Sequence, residues 1–343
     1  MTMNIRRFCA IILALCLVFS LSACLEKPSD DIEGGENAPV IDDFTPANND
    51  ENIELKMPEG EIVSSAELLE YEETDGGIKI TKYSGECEIF AIPDEIDGKA
   101  VVAIGKEAFA ANSWLTAIVL PDSVKTVESL AFYGCTNLCY VDLGDGAKTV
   151  ESYAFSSCPL LYGIDLSSCE SIGIGSLFGC NSIKLVKLSF VGGTRDENNY
   201  LGYIFGAETP EHNGEMVPDS LRKIILADTC TTIPDLAFAN CKYITSVIIP
   251  DSVESIGVRA FYRCRSLTEI DTGNGVKAIS DDAFFGCDNL RSVKLGEAVE
   301  SIGMQAFFGC RSLESINADG VASIGSYAFY GTPITQEENG SEE

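Results

Sequence analysis

A recurring Ala-Phe pair imposes a fixed period on most of the chain. Counted at the phenylalanine, the pair or its equivalent recurs at residues 109, 132, 155, 178, 205, 238, 261, 284, 307 and 329. The spacing is 22 or 23 residues except at two places, where it is 27 and 33 residues. Such a period is typical of a repeat protein, in which each unit buries its apolar side only against its neighbours.

One unit, CKYITSVIIPDSVESIGVRAFYR (241–263), predicts the path of the chain in every repeat. Val247 and Ile249 alternate with an outward residue, which indicates a strand. A Pro-Asp-Ser turn follows, then a second short extended piece, and then a predicted helical turn that places Phe261 inward. Each unit is therefore one coil of a solenoid. Nine coils beginning near Asn112 would each rise by about 4.8 Å.

The positions of the repeats define the domain organisation of the chain. Residues 64–111 are predicted to form the N-terminal cap and first partial repeat, with a hairpin turning at Asp75-Gly76-Gly77. Residues 112–333 form the solenoid, and an insertion at about 191–217 breaks its period. The stretch TRDENN (194–199) is the predicted exposed tip of the insertion. We expect four apolar residues to anchor it to the core: Tyr200, Leu201, Tyr203 and Phe205.

The N-terminus has the three regions of a bacterial lipoprotein signal. Two arginines precede the apolar run FCAIILALCLVFS (8–20), which is short for a membrane span, and LSAC (21–24) follows. Residues 1–23 are therefore a predicted signal peptide, and Cys24 is the predicted lipidation site. The alternative is an ordinary secretory signal with an incidental cysteine.

Strong acidity marks both ends of the mature chain. Residues 24–63 contain 12 acidic residues against two lysines, and four prolines interrupt them, so we predict a disordered tether. Residues 334–343 form a second, short acidic tail. The net charge of −30 argues against nucleic acid and against a polybasic grip on anionic lipid.

Three stretches carry a family resemblance: AFYGCTNLCYVDL, LPDSVKTV and IPDSVESIG. They resemble the BspA-type leucine-rich repeats, and the similarity covers about residues 68–331. The resemblance implies a β-rich α/β solenoid, a right-handed leucine-rich repeat superhelix with one short strand and short helical or irregular turns per coil. It also implies a bacterial surface protein, since some members adhere to host matrix proteins or to other cells. The repeat signature brings no catalytic residue with it.

A cysteine follows the Ala-Phe pair in seven coils, and its role has several interpretations. Zinc needs four ligands in a tetrahedron, whereas equivalent positions of a solenoid form a line. Neighbouring coils are close enough for disulfides, but the side chains point the same way. We therefore predict a ladder of reduced, buried thiols that act as small apolar residues. The ladder comprises Cys135, Cys158, Cys180, Cys241, Cys264, Cys287 and Cys310.

The outward residues of the longer strand should line one surface, which we call the sheet face. Asp142 and Asp165 are neighbours on it, a spacing that a retaining glycosidase or a weak calcium site could use, although a solvated acidic patch explains it equally. Exposed aliphatic residues on a regular face can mark an interaction surface, and single exposed ones are also normal. The candidate ligand-binding residues are Tyr140, Leu185, Lys187, Lys223, Ile225 and Ile248.

These features predict a lipid-anchored cell-surface protein that mediates protein-protein interaction or adhesion. We expect a monomer without cofactor, metal or catalytic residues, which contacts the membrane only through its lipid. Its partner would be a protein, such as a host matrix protein or the surface of another cell. Two alternatives remain open at this point, a structural spacer in the envelope and a carbohydrate-binding surface protein.

Overall fold

The computed structural model describes residues 53–335. The predicted signal peptide, the lipidation site Cys24, tether residues 24–52 and tail residues 336–343 lie outside the described residues. The described chain is a β-solenoid of about 11 turns. This confirms the predicted leucine-rich repeat solenoid.

Each coil contributes one strand to a parallel ladder, which we call the first ladder. Its outward residues form the sheet face. The strands are β1 (Ile62–Val63), β4 (Ile89–Ala91), β7 (Ala117–Val119), β9 (Tyr140–Asp142), β11 (Gly163–Leu166), β13 (Leu185–Leu188), β14 (Lys223–Leu226), β15 (Ser246–Ile248), β17 (Glu269–Asp271), β19 (Ser292–Lys294) and β21 (Ser315–Ile316). Hydrogen bonds join them in the orders β1-β4-β7-β9, β11-β13-β14-β15 and β17-β19-β21.

A second parallel ladder is built from the extended piece that follows the first-ladder strand in most coils. Its strands are β3 (Gly77–Tyr83), β6 (Lys99–Ile104), β8 (Thr126–Val127), β10 (Thr149–Val150), β12 (Ser171–Ile172), β16 (Ser255–Ile256), β18 (Ala278–Ile279), β20 (Ser301–Ile302) and β22 (Ser323–Ile324). A single bridge between Ile233 and Ile256 extends it at the coil that follows the insertion. Nine of the eleven described coils thus contain two ladder strands, one more than the family resemblance implies, and the coils of β13 and β14 contain one.

An antiparallel hairpin closes the N-terminal end of the second ladder. Strand β2 (Leu69–Thr74) pairs with β3, and Asp75 and Gly76 lie between them, which confirms the predicted hairpin. A further short strand, β5 (Glu95–Ile96), pairs with β6. Gly77 has a φ of 145°, and a Cβ atom there would lie 2.3 Å from the carbonyl oxygen of Ala100. Only glycine fits this turn.

The Ala-Phe segment forms turns, so the predicted helical turn is wrong. In the unit 241–263, Arg259 and Arg263 have φ values of 55° and 56°. A left-handed residue on each side of the phenylalanine prevents a helix and returns the chain toward the next strand. The inward direction of Phe261 is as predicted, since this residue is fully buried.

Helices are short and lie outside the regular coils. The 3-10 helices are Ala66–Leu68, Leu201–Phe205, Pro210–His212 and Pro333–Thr335, and the α-helix α1 is Asn213–Met216. Within residues 53–335 no helix has the length and apolar character needed to cross a membrane.

The core is one continuous apolar column with the phenylalanines as its spine. Ring centroids of Phe261 and Phe284 lie 4.9 Å apart, and those of Phe284 and Phe307 lie 5.0 Å apart. The rings are nearly parallel, with interplanar angles of 4° and 2°. The separation follows from the distance between neighbouring strands, about 4.8 Å, so the stacking is a direct consequence of the repeat.

The C-terminal part of the predicted tether belongs to the solenoid. Residues Ile62–Val63 form β1 and pair in parallel with Ile89 and Phe90 of β4. Ile53 is buried. The predicted boundary at residue 63 is therefore wrong, because the apolar residues of this otherwise acidic segment contact a surface that exists only after the coils have stacked.

Candidate functional site

The sheet face aligns the predicted ligand-binding residues in two rows. In one row Lys187 pairs with Ile225, and Ile225 pairs with Ile248. In the other row Leu185 pairs with Lys223. Tyr140 lies further along the ladder, opposite Ala117 of β7.

An extended segment of the chain crosses the N-terminal half of this face. We call residues 53–60 the strap. A Cβ atom at Gly60 would lie 2.9 Å from Cδ1 of Ile89 in β4, and one at Gly163 of β11 would lie 2.6 Å from Cδ2 of Leu55. Five extended residues span about 17 Å, and the three coil spacings from β4 to β11 total about 14 Å, so the strap runs across the strands.

The strap reduces the solvent exposure of the sheet-face residues beneath it. Leu185 was predicted to be an exposed aliphatic residue, but it is only 1% exposed. This prediction is wrong, because the strap covers the neighbouring residue Gly163 with Leu55 and continues to the buried Ile53. Tyr140 is half-buried. Leu185 is therefore part of the protein's own packing and unavailable to a ligand.

The sheet face is open beyond β13. Ile248 is 45% exposed and lies beside the half-buried Ile225. Lys223 forms no ion pair within residues 53–335, whereas Lys187 contacts Asp165 at 2.9 Å and Lys294 contacts Asp271 at 2.7 Å. The open half thus presents a small apolar centre beside a cation without a carboxylate partner.

The geometry around Asp165 disfavours a carboxylate pair for glycoside hydrolysis. Burial raises the pKa of Asp165, but hydrogen bonds from Ser167 and Lys187 outweigh this effect and leave its pKa lowered. Asp142 accepts a hydrogen bond from the backbone N–H of Gly144. A general acid needs a raised pKa, which is the opposite of what Lys187 does to Asp165. Within the described chain, no three His, Cys, Asp or Glu side chains are placed to hold a metal.

The insertion is fastened to the solenoid, as its aromatic residues predict. Tyr200, Leu201 and Phe205 are buried, and Tyr203 packs partly buried against the core. Its predicted tip is exposed at residues 195–198.

Sequence reasoning missed a buried polar residue that holds the insertion against the solenoid. Asn213 is fully buried; its Oδ1 accepts from the N–H of Gly202, and its Nδ2 donates to the carbonyl oxygens of Leu236 and Ala237 at 3.1 and 3.2 Å. A polar Asn-Gly pair looks like a turn in the sequence, so no local signal distinguishes this buried clamp.

The cysteine ladder is buried and contains free thiols. Six of its seven members place Sγ 3.1–3.2 Å from the carbonyl oxygen of the phenylalanine in the preceding coil. Cys241 is the exception, because the insertion separates it from the coil before it, and its Sγ lies 3.9 Å from the carbonyl oxygen of Ala239.

The thiols of the ladder have low reactivity. Burial raises the pKa of Cys180 to about 12 and raises that of Cys241 well above its ordinary value. A thiol whose thiolate is so disfavoured is a poor nucleophile. The ladder therefore contributes packing and a weak hydrogen bond in each coil.

One protein family matches most of the solenoid. The BspA type leucine rich repeat region matches residues 99–193 and 217–336 in six copies. The gap between the two matched ranges coincides with most of the insertion. Among curated proteins, no sequence matches the chain significantly.

Several solved structures are similar to the chain at low identity. The T. pallidum leucine-rich repeat protein is 26% identical over 73% of this chain and 89% of its own, with a TM-score of 0.33. A Bacteroides ovatus leucine-rich repeat protein is 23% identical over 77% and 78%, with a TM-score of 0.39. A leucine-rich cell surface protein of Faecalibacterium prausnitzii is 21% identical over 84% and 99%, with a TM-score of 0.30.

The period, the two ladders and the phenylalanine spine agree with the extent of the family match, which exceeds half of the chain. The chain therefore belongs to the BspA-type leucine-rich repeat family.

Proposed function

We propose that this protein is displayed outside the cytoplasm through a lipid on Cys24 and recognises a protein ligand on the open half of its sheet face. The supporting observation is that one half of the sheet face is covered and the other half is exposed to solvent. The strap covers it from β4 to β11, and beyond β13 it is bare, with Ile248 45% exposed. The proposal assigns the chain no enzymatic activity. A protein on host matrix or on another cell is the partner class that the proposed location favours.

The composition of the open half supports recognition by a protein. Ile225 and Ile248 provide a small apolar centre, and Lys223 adds a cation to the rim of an otherwise acidic molecule. Binding energy in protein interfaces is concentrated in a few central residues surrounded by polar contacts. The N-terminal half cannot bind in the same way while the strap occupies it.

Ile225→Asp combined with Ile248→Asp is expected to weaken binding of the protein ligand about 30-fold or more, equivalent to about 2 kcal/mol. Two carboxylates would replace the apolar centre, whereas both side chains point away from the core, so thermal stability should change little. Surface plasmon resonance against purified matrix proteins and intact cells measures the effect. Asn317→Asp on the same face near its C-terminal end is the control and should leave binding unchanged. Equal losses in both variants would place the ligand elsewhere.

Cys24→Ser is expected to move the protein from the membrane fraction into the medium or the soluble extracytoplasmic fraction. The reason is that a serine cannot accept the lipid that would hold the chain. Fractionation with immunoblotting measures the change, and mass spectrometry of the wild-type N-terminus provides the independent check. An unmodified mature terminus at another residue would contradict lipidation while leaving the sheet-face proposal intact.

A further inference from the structure

A groove of about 370 Å³ lies where the insertion meets the solenoid. Neither the sheet face nor the cysteine ladder shares a residue with it. One wall belongs to the insertion and the other to the turns that precede the longer strands of two neighbouring coils. The lining residues are Glu211, Gly214, Glu215, Asn240, Lys242, Arg263 and Arg265.

The two walls of the groove are held rigidly together. A Cβ atom at Gly214 would lie 2.2 Å from the carbonyl oxygen of Asn240, so helix α1 touches the solenoid backbone directly. The neighbouring residue Asn213 clamps the helix through its buried hydrogen bonds. The groove is therefore formed before any ligand arrives, which lowers the entropy that binding must overcome.

Arg263 occupies a backbone position that favours glycine. It precedes the cysteine of its coil and has a φ of 56°, in the left-handed region. At the equivalent position five other coils have a glycine with positive φ, namely Gly134, Gly179, Gly286, Gly309 and Gly331, and three have another left-handed residue, namely Ala111, Ser157 and Asn240. A left-handed conformation costs a residue with a Cβ about 1 kcal/mol or more. Arg263 therefore occupies a strained backbone position beside the groove.

The solenoid side of the groove, which we call the basic wall, carries cations that have no ion-pair partner among the described residues. Lys242 and Arg263 form no ion pair with any residue in the described range 53–335, while Arg265 reaches Asp288 at 3.5 Å. The guanidinium of Arg263 lies 5.1 Å from the centroid of the Tyr262 ring, which orients it without neutralising it. Two cations without carboxylate partners are unexpected on a chain with a net charge of −30.

The opposite wall is rich in hydrogen-bond acceptors. Glu211 and Glu215 face the groove from the insertion, and neither forms an ion pair with the basic residues across it. A bound group that uses both walls would present an anion to one and hydrogen-bond donors to the other. Hydroxyl groups beside a carboxylate satisfy both walls, and the volume lies at the small end of ligand sites, which span about 300–1,000 Å³.

We propose that this groove binds an acidic sugar, with its carboxylate held by Arg263 and Lys242 and its hydroxyl groups held by Glu211, Glu215 and Asn240. This is a second binding site, separate from the sheet face and independent of whether that face binds a protein. A terminal residue of a glycan and a free sugar acid share the recognised chemistry.

Isothermal titration calorimetry on the full chain tests the proposal with three probes: glucuronate, glucose and inorganic sulfate. We expect glucuronate to bind at least tenfold more tightly than glucose, which lacks the carboxylate, and than sulfate, which lacks the ring hydroxyls. Sulfate binding as tightly as glucuronate would overturn the assignment to a sugar. Absence of glucuronate binding would overturn the site.

The variant Arg263→Gly distinguishes an effect on glucuronate binding from an effect on folding. It should weaken glucuronate binding at least tenfold, and the melting temperature should stay the same or rise, because glycine relieves the left-handed strain. The control for binding is Arg259→Gly, which changes a left-handed arginine of the same coil that also lies over Tyr262 but does not line the groove, and it should leave glucuronate affinity unchanged. The melting temperature of Arg259→Gly is not a matched control, because Arg259 also pairs with Asp282 at 3.0 Å. Equal glucuronate affinity in wild type and Arg263→Gly would overturn the proposal, and a lower melting temperature in Arg263→Gly would overturn the assignment of strain to this residue.

Discussion

Replacing Phe284 with alanine is expected to lower the free energy of unfolding by about 3–5 kcal/mol. The ring is fully buried and lies between Phe261 and Phe307 at 4.9 and 5.0 Å, so its removal leaves a cavity that two rigid neighbours cannot close. A solenoid coil contacts only adjacent coils, so the loss should be concentrated in the coils next to Phe284. Denaturant unfolding measures the size of the effect, and amide hydrogen exchange measures its location.

Cys287→Ala is the matched control for this experiment. Cys287 follows Phe284 in the same coil and is equally buried, but its replacement removes only a sulfur atom and one weak hydrogen bond to Phe261. We expect a loss of about 1 kcal/mol. A Phe284→Ala loss no larger than that of Cys287→Ala, or faster exchange spread evenly along the chain, would contradict a core stabilised by the stacked spine.

Asn213→Asp is expected to destabilise the insertion by about 3 kcal/mol or more at neutral pH. The substitution conserves size but removes the two N–H donors that bind the carbonyl oxygens of Leu236 and Ala237. A buried carboxylate would then face two carbonyl oxygens, which is unfavourable for its charge. Amide exchange and limited proteolysis across residues 191–217 measure the local opening.

The defect at position 213 should depend on pH with a definite sign. Burial and the facing carbonyl oxygens would raise the pKa of the new carboxyl group above its ordinary value of about 4. The destabilisation is then complete above the raised folded-state pKa and is partly relieved below it, where the protonated acid can donate one hydrogen bond. The control is Asn198→Asp at the exposed tip, which should change stability by less than about 0.5 kcal/mol. Equal protection of the insertion in both variants would show that the clamp contributes little.

The groove depends on the same clamp, which links the two experiments. Asn213→Asp should weaken glucuronate binding at neutral pH, because α1 carries the wall with Glu215. The sheet-face ligand should be unaffected, since Ile225 and Ile248 lie outside the groove.

The sequence by itself determined the repeat and everything that depends on its period. Residues one period apart must occupy equivalent positions, so the spacing of Phe261, Phe284 and Phe307 was sufficient to predict a stacked, inward column. The burial of the cysteines follows from the same register, and the break in the period located the insertion. The hairpin before Gly77 was predictable because its turn chemistry is local.

Only the tertiary structure decided which surfaces remain open. The strap looks like acidic linker in the sequence, because Ile53 and Leu55 are isolated among acids and prolines and have no periodic partner. Their binding surface consists of residues from several coils, among them Gly163, and it forms only when those coils stack. The burial of Leu185, the clamp at Asn213 and the groove beside Arg263 have the same origin. Each joins segments distant along the chain, and no local pattern of residue types encodes such a contact.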